Sequence, residues 1–201
     1  MPRKLPQSFY RRPATELAPA LLGKILVHRI EGKELRGRIV ETEAYCGVED
    51  LAAHSSKGRT KRTEVMFGPA GRAYVYFIYG MYEMFNIVAG KTGEAHAILI
   101  RAAEALDGWG ANLSGPGRLA REFRITRMHN GIDLTGDELF LLDSPVDKPR
   151  VLTTPRVGVD YAKHWKDEPL RYLVADSPAV SKPRPMAWTG GKIGKRRSRE
   201  I

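Results

Sequence analysis

Strand-like apolar runs dominate this chain. Lys24–Ile30 (KILVHRI) and Leu35–Tyr45 (LRGRIVETEAY) are rich in β-branched residues, and Glu31-Gly32-Lys33 between them predicts a hairpin. Arg72–Tyr79 (RAYVYFIY) is the strongest strand. A turn at Gly80-Met81 returns the chain through Tyr82–Val88. Ala95–Arg101 (AHAILIR), Leu139–Leu142 and Leu170–Val174 complete the strands. Helical spacing is scarcer. Glu16–Leu22 sets Leu17, Leu21 and Leu22 on one face, with Thr15 as N-cap, Gly23 as stop and Pro19 as an interruption. Gly115–Phe123 is a second helix behind a glycine-rich entry, and residues 46–72 are turn-rich. Helices do not alternate with strands, so the pattern predicts a single α+β domain rather than a doubly wound sheet. No repeat or interdomain linker interrupts it.

Composition narrows the setting. The chain has 201 residues, enough to bury a core without disulfides or metals. No apolar run approaches the ~20 residues of a membrane span, and the N-terminus lacks the apolar stretch of a secretory signal. Cys46 is the only cysteine, which excludes an internal disulfide and multi-cysteine metal sites and favours a reducing compartment. The net charge of +10 favours polyanionic partners. Its distribution is uneven. Residues 1–15 hold Arg3, Lys4, Arg11 and Arg12 and no acid, while residues 182–201 hold seven cations against Glu200. Residues 16–181 are therefore neutral in sum. This divides the chain into a basic N-terminal arm (1–15), a body (16–181) and a basic, mobile C-terminal tail (182–201).

Several clusters carry candidate chemistry. Strand alternation sets Ile39, Glu41, Glu43 and Tyr45 on one face of their strand and Val40, Thr42 and Ala44 on the other. Two carboxylates beside a loop suit acid or base work, and equally suit a solvated face paired with Arg or Lys. His54 lies in a loop, as a structural or a catalytic residue; no metal-binding spacing surrounds it. Lys57, Arg59, Lys61 and Arg62 form a basic run suited to phosphates or to open solvent. Tyr74, Tyr76, Tyr79 and Tyr82 crowd nine residues. Tyrosine suits strands, yet Tyr79-Gly80-Met81-Tyr82 also sets large apolar groups on a hairpin tip, like a wedge for a base stack. Glu83 beside it must face away if the tip meets phosphates. Arg118, Arg121 and Arg124 are spaced along one helix side, with Gly115-Pro116-Gly117 opening its N-terminus for a phosphate. Dinucleotide, P-loop, nucleophile-elbow and zinc-deaminase motifs are absent.

ELRGRIVETEAY, EDLAAHS, YVYFIYGMY followed by Asn86, AILIRAAE, SGPGRLA, RVGV and PLRYLV occur in this order. Together they resemble the alkyladenine (3-methyladenine) DNA glycosylases, also called methylpurine glycosylases, over Leu17 to Ser181. The resemblance implies a curved, mainly antiparallel sheet with packed helices and a DNA-binding face. It implies a monomer, without cofactor or metal, that cleaves the N-glycosidic bond of damaged purines in double-stranded DNA. The implied substrates are 3-methyladenine, 7-methylguanine, hypoxanthine and ethenoadenine, and an abasic site is left for base excision repair. Glu43 matches the water-activating glutamate and Arg101 its partner. Tyr45, His54 and Tyr76 match the residues enclosing the flipped base. Tyr79 matches the intercalating tyrosine, and Asn86 the residue that crowds a purine 2-amino group. His96 is expected to be structural. No lysine lies in the matched motifs, so direct hydrolysis without a Schiff base is expected. Location follows source: cytoplasmic and nucleoid-associated in a bacterium, nuclear in a eukaryote, where KRRSR reads as a signal. The competing hypothesis is a non-catalytic reader of damaged DNA, for which Glu43 would be dispensable.

Overall fold

One long strand organises the fold. The computed structural model describes residues 2–144 and 149–187. Strands β1 (Ile25–Ile30) and β2 (Lys33–Cys46) form the expected hairpin, closed by Glu31 and Gly32 at φ 49° and 77°. Two successive positive φ values match the right-handed twist of the strands they join. Beyond them come β3 (Ala73–Ile78), β4 (Tyr82–Ala89), β5 (His96–Ala105), β6 (Leu139–Leu142), β7 (Val151–Thr154) and β8 (Arg171–Val174). The antiparallel order is β3-β4-β5-β2-β1-β6, with β8 also on β2 and β7 on β8. This is the α+β class expected.

β2 changes partner midway. Its first half pairs with β1, and Glu41–Glu43 pair with β8. The register to β5 slips at the same place, between Ile39 and Glu41 and again between Glu41 and Thr42. Such a bulge bends a strand and increases its twist, so the sheet curls where the two carboxylates sit. The bulge also corrects the alternation. Ile39 packs in the main core with Ala44, while Val40 joins Ala102, Leu173 and Val180 on another cluster.

The main core gathers Leu17, Leu21, Phe85, Ile87, Ile98, Ile100, Leu119 and Phe123, all fully buried. Each contributes roughly 1.5–3 kcal/mol relative to exposure. That burial, not propensity, holds the short helices α1 (Gln7–Tyr10), α2 (Ala14–Ala20) and α3 (Pro116–Glu122). α2 begins earlier than Thr15 capping predicts: Pro13 is the N-cap and makes no side-chain bond. Thr42 Oγ1 donates to Ala18 O at 2.9 Å, tying α2 to β2.

The termini are more integrated than charge counting suggests. Leu5 and Tyr10 are buried in the main core, and Lys4 bridges to Leu142, while Arg3, Arg11 and Arg12 stay exposed. The N-terminal segment is thus part of the body, with its cations outside. At the other end, Arg171 Nη2 donates to Pro183 O at 2.9 Å and Arg184 Nε to Val180 O at 3.0 Å. Packing therefore continues past Ser181. Residues 188–201 of the expected tail lie outside the described residues. No described helix is long and apolar enough to cross a membrane.

Candidate active site

The bent half of β2, with β3, β4 and β5, walls a cavity of about 290 Å³. Glu43 and Tyr45 come from β2, Tyr76 from β3, Asn86 from β4 and Arg101 from β5. His54 enters from the short 3₁₀ turn His54–Lys57, and Tyr79 from the β3–β4 tip. The six residues singled out for the reaction and the base pocket, and the expected intercalating Tyr79, all line this one cavity.

Glu43 has no solvent exposure. Its Oε1 accepts from Val157 N at 2.8 Å and lies 3.3 Å from Arg101 Nη1. Its Oε2 accepts from Tyr45 OH at 3.0 Å. Two hydrogen bonds and the Arg101 ion pair, on a carboxylate with roughly four acceptor positions, leave room for a further donor. Burial and the neighbouring Glu43 hold the Tyr45 phenol well above its ordinary pKa, so it stays a neutral donor.

Glu41 is not a second cavity acid. Its Oε1 accepts from Arg101 Nε at 2.8 Å, Arg171 Nε at 2.8 Å and Ser181 Oγ at 2.9 Å; its Oε2 accepts from Ser181 N at 2.6 Å. Burial alone would raise this carboxyl, but the Arg101 and Arg171 guanidiniums outweigh burial and hold it below the usual range. Arg101 is interposed between the two glutamates and pairs with both. Arg101 Nη2 also donates to Ser181 Oγ at 3.2 Å. The network fixes the guanidinium whose other end meets Glu43.

Aromatic rings form the opposite wall. The His54 and Tyr76 rings meet edge-on with centroids 4.5 Å apart, and Tyr74 tilts against Tyr76 at 5.4 Å. His54 Nδ1 shares a hydrogen bond with Tyr74 OH at 2.9 Å. Burial, with Arg62 and Lys57 nearby, lowers His54 to about 4, so it is neutral at pH 7. The Arg62 guanidinium stands 5.1 Å over the Tyr76 ring. Asn86 is buried, and its Nδ2 donates to Tyr74 O at 3.2 Å and Met84 O at 3.3 Å.

The rim is apolar and exposed. Tyr79 is 76% accessible and Met81 64%. Tyr79 adopts φ 54° ahead of Gly80 at φ 67°, a left-handed conformation costly for a non-glycine residue. Glu83 faces Arg127, whose Nε lies 3.0 Å from its Oε1 and whose guanidinium covers Phe77 at 4.4 Å. The acid beside the exposed tip is thereby paired with a cation. A larger open groove of about 920 Å³ adjoins the cavity and shares Tyr79, Met84, Arg101 and Pro116 with it.

Residues 8–178 match the sequence model of the methylpurine-DNA glycosylase family. The chain belongs to this family. A relative from Myxococcus xanthus (strain DK1622) is 52% identical over 184 residues, covering 90% of this chain and 95% of the relative. One from Anaeromyxobacter dehalogenans (strain 2CP-1) is 50% identical over 185 residues, covering 92% and 88%. One from Legionella pneumophila (strain Corby) is 50% identical over 182 residues, covering 90% and 99%. All three are provisionally named 3-methyladenine DNA glycosylases. Family membership makes the chain a DNA glycosylase, a hydrolase of N-glycosyl bonds.

The remaining expected residues of this glycosylase are dispersed. Arg59 pairs with Glu64 at 3.3 Å and Arg121 with Glu122 at 2.8 Å, both in solvent. Lys57 and Lys61 are exposed, with no ion-pair partner among the described residues. Arg118 borders the large groove. Arg124 falls beyond the end of α3 at φ 54°, which breaks the expected row of arginines. Gly117 serves packing: a Cβ there would stand 2.7 Å from Tyr82 Cδ1. His96 is a packing residue as expected, accepting from Ala14 N at 3.2 Å.

Spacing arguments passed over Arg156, Asp50, Arg171 and Ser181. Arg156 forms a fully buried pair with Asp50, at 2.5 and 2.9 Å, and its guanidinium lies 4.8 Å over Tyr45. It sits next to Val157, whose N–H meets Glu43. The only sequence signal was the place of Asp50 in EDLAAHS, Arg156 in RVGV and Arg171 in PLRYLV; Ser181 lies in none of these motifs.

Proposed function

We propose that this glycosylase flips a damaged purine into the 290 Å³ cavity and hydrolyses its N-glycosidic bond with Glu43 as base. The observation that carries this reading is a fully buried, arginine-paired carboxylate that keeps acceptor capacity for a further donor, in a cavity lined with aromatic rings. Water hydrogen-bonded to Glu43 loses its proton to the carboxylate and attacks C1′. The C1′–N bond breaks, its electron pair leaves with the purine, and an abasic site remains. The same carboxylate stabilises the oxocarbenium-like sugar, as in glycoside hydrolysis. Arg101 orients Glu43, and Tyr79 occupies the vacated stack.

Tyr45, His54 and Tyr76 enclose the base. Their faces favour cationic purines such as 3-methyladenine and 7-methylguanine, which carry their own leaving-group activation. Hypoxanthine and ethenoadenine are neutral and need hydrogen bonds in the pocket instead. His54, held neutral, serves them as a wall and hydrogen-bonding group rather than as a charged acid. Asn86 crowds a 2-amino group and so discourages guanine. Lys57, Lys61, Arg62 and Arg118, with weaker shares from the already paired Arg59 and Arg121, meet phosphates of double-stranded DNA. The protein acts as a monomer in base excision repair, in the cytoplasm with the nucleoid.

Duplexes containing 7-methylguanine or hypoxanthine test the reading. Glu43→Gln should bind them as wild type does yet release no base, scored by alkaline cleavage at abasic sites. Release at the wild-type rate would reject Glu43 as the base.

A further inference from the structure

His28 is remote in sequence from His129 and Glu138, and the three meet beside the β1–β6 edge. His28 lies on β1, His129 ends the 3₁₀ turn Arg127–His129, and Glu138 precedes β6. One ligand atom from each lies within 4.8 Å of the other two. His28 Nε2 is 4.0 Å and His129 Nε2 3.5 Å from Glu138 Oε1. None of the three lines the reaction cavity or the groove.

The far side of each imidazole makes the convergence specific. His28 Nδ1 is 2.6 Å from Phe123 O, and His129 Nδ1 is 3.1 Å from Thr126 O. A carbonyl only accepts, so each can hold a proton on Nδ1 and leave the Nε2 lone pair free. That is the outer-shell arrangement of metal-binding histidines. His129 Nδ1 is also 3.0 Å from Thr126 N. Taking a metal would exchange that cap for the carbonyl bond, and Thr126 is exposed, so water can replace the lost acceptor.

We propose that His28, His129 and Glu138 form a binding site for a zinc-class divalent cation, separate from the reaction cavity. Two imidazoles and one carboxylate suit zinc, cobalt or nickel better than magnesium or calcium, with water completing the shell. The Glu138 side chain is 56% exposed, which gives the ion an entry path and lets the carboxylate close on it. The bound ion ties β1, the 127–129 turn and the start of β6 together. That turn carries Arg127, which neutralises Glu83. It leads to Asn130, whose Oδ1 accepts from Val75 N at 3.0 Å. The ion thus steadies the base of the β3–β4 hairpin.

The test is titration of EDTA-treated full-length protein with Zn²⁺ alone, by calorimetry and by thermal melting. One equivalent should bind saturably and raise Tm. Glu138→Gln and His129→Gln, altered at the accessible side of the site, should each weaken binding at least ~10-fold. They decide the question even if the buried His28→Gln fails to fold. Absence of a saturable equivalent, or unchanged affinity in either accessible variant, would overturn the site.

Discussion

At the residue scale, the buried anchor explains how a carboxylate and its arginine keep one geometry. Glu41 accepts four hydrogen bonds and directs Arg101 toward Glu43. Glu41→Gln retains the shape and loses the charge. It should lower single-turnover base release about tenfold, equivalent to ~1.4 kcal/mol of transition-state stabilisation. Lesion binding should stay within threefold, and the pH profile of release should shift. An unchanged rate and profile would reduce Glu41 to a purely structural role. His54 supports a second measurement. Its folded pKa of about 4 lies below the 6.5 of the unfolded chain. Above pH 6.5 neither state is protonated there. As pH falls from 6.5 to 4 the unfolded state takes up a proton first, so stability is lost, by roughly 3 kcal/mol at most. His54→Gln should flatten that window in denaturant titrations at pH 7 and pH 5; an equal slope in both proteins would refute the burial argument. Glu43 and Tyr45 were legible because strand alternation joins them. Ile39 was misplaced because a bulge has no mark in the pattern. Arg171 and Ser181 were illegible because their relation to Glu41 exists only after β8 docks on β2.

At the element scale, the β3–β4 hairpin both lines the cavity and carries its exposed apolar rim. Its strands were legible from β-branched and aromatic alternation. β7 and the 3₁₀ turns were not, since three or four half-exposed residues carry no usable period. The packing of the tip against α3 was equally hidden. Gly117 reads as an opening for phosphate, yet in the fold it is the space Tyr82 occupies. Gly117→Ala should gain up to ~1 kcal/mol of helix propensity but push Tyr82 and the tip aside. Lesion-DNA affinity should then fall several-fold with little change in Tm, and Tyr82→Ala in the same chain should recover it. If the double variant binds no better than Gly117→Ala alone, the contact does not position the tip. Tyr79→Ser removes the proposed stacking group and should cost about 1–3 kcal/mol of lesion affinity, with less flipping by base-analogue fluorescence. Unchanged affinity would leave the tip without a stacking role.

At the scale of the whole molecule, the +10 charge divides into parts with different physical roles. Arg3, Arg11 and Arg12 ride on a segment whose Leu5 and Tyr10 belong to the core, so that segment is not a detachable arm. Lys182–Arg184 follow Ser181, and Arg171 holds both Ser181 and Pro183 through their carbonyls. The C-terminal cations beyond them are Lys192, Lys195, Arg196, Arg197 and Arg199. Two truncations separate these roles. Deleting residues 188–201 should leave Tm and single-turnover release intact. It should reduce the salt slope of DNA binding by up to ~0.9 for each of the five cations that meets a phosphate. Deleting residues 181–201 removes the Ser181 donors from Glu41 as well, leaving a buried carboxylate short of two hydrogen bonds. A lost bond to a charged group costs roughly 1.5–3 kcal/mol, so this shorter chain should lose both stability and rate. Salt-dependent binding isotherms, thermal melts and single-turnover assays on the two chains give the comparison. If deleting 188–201 leaves the salt slope unchanged, the terminal charge serves no phosphate contact. If the shorter chain keeps full stability and rate, the Ser181 anchor contributes nothing to holding Arg101 on Glu43.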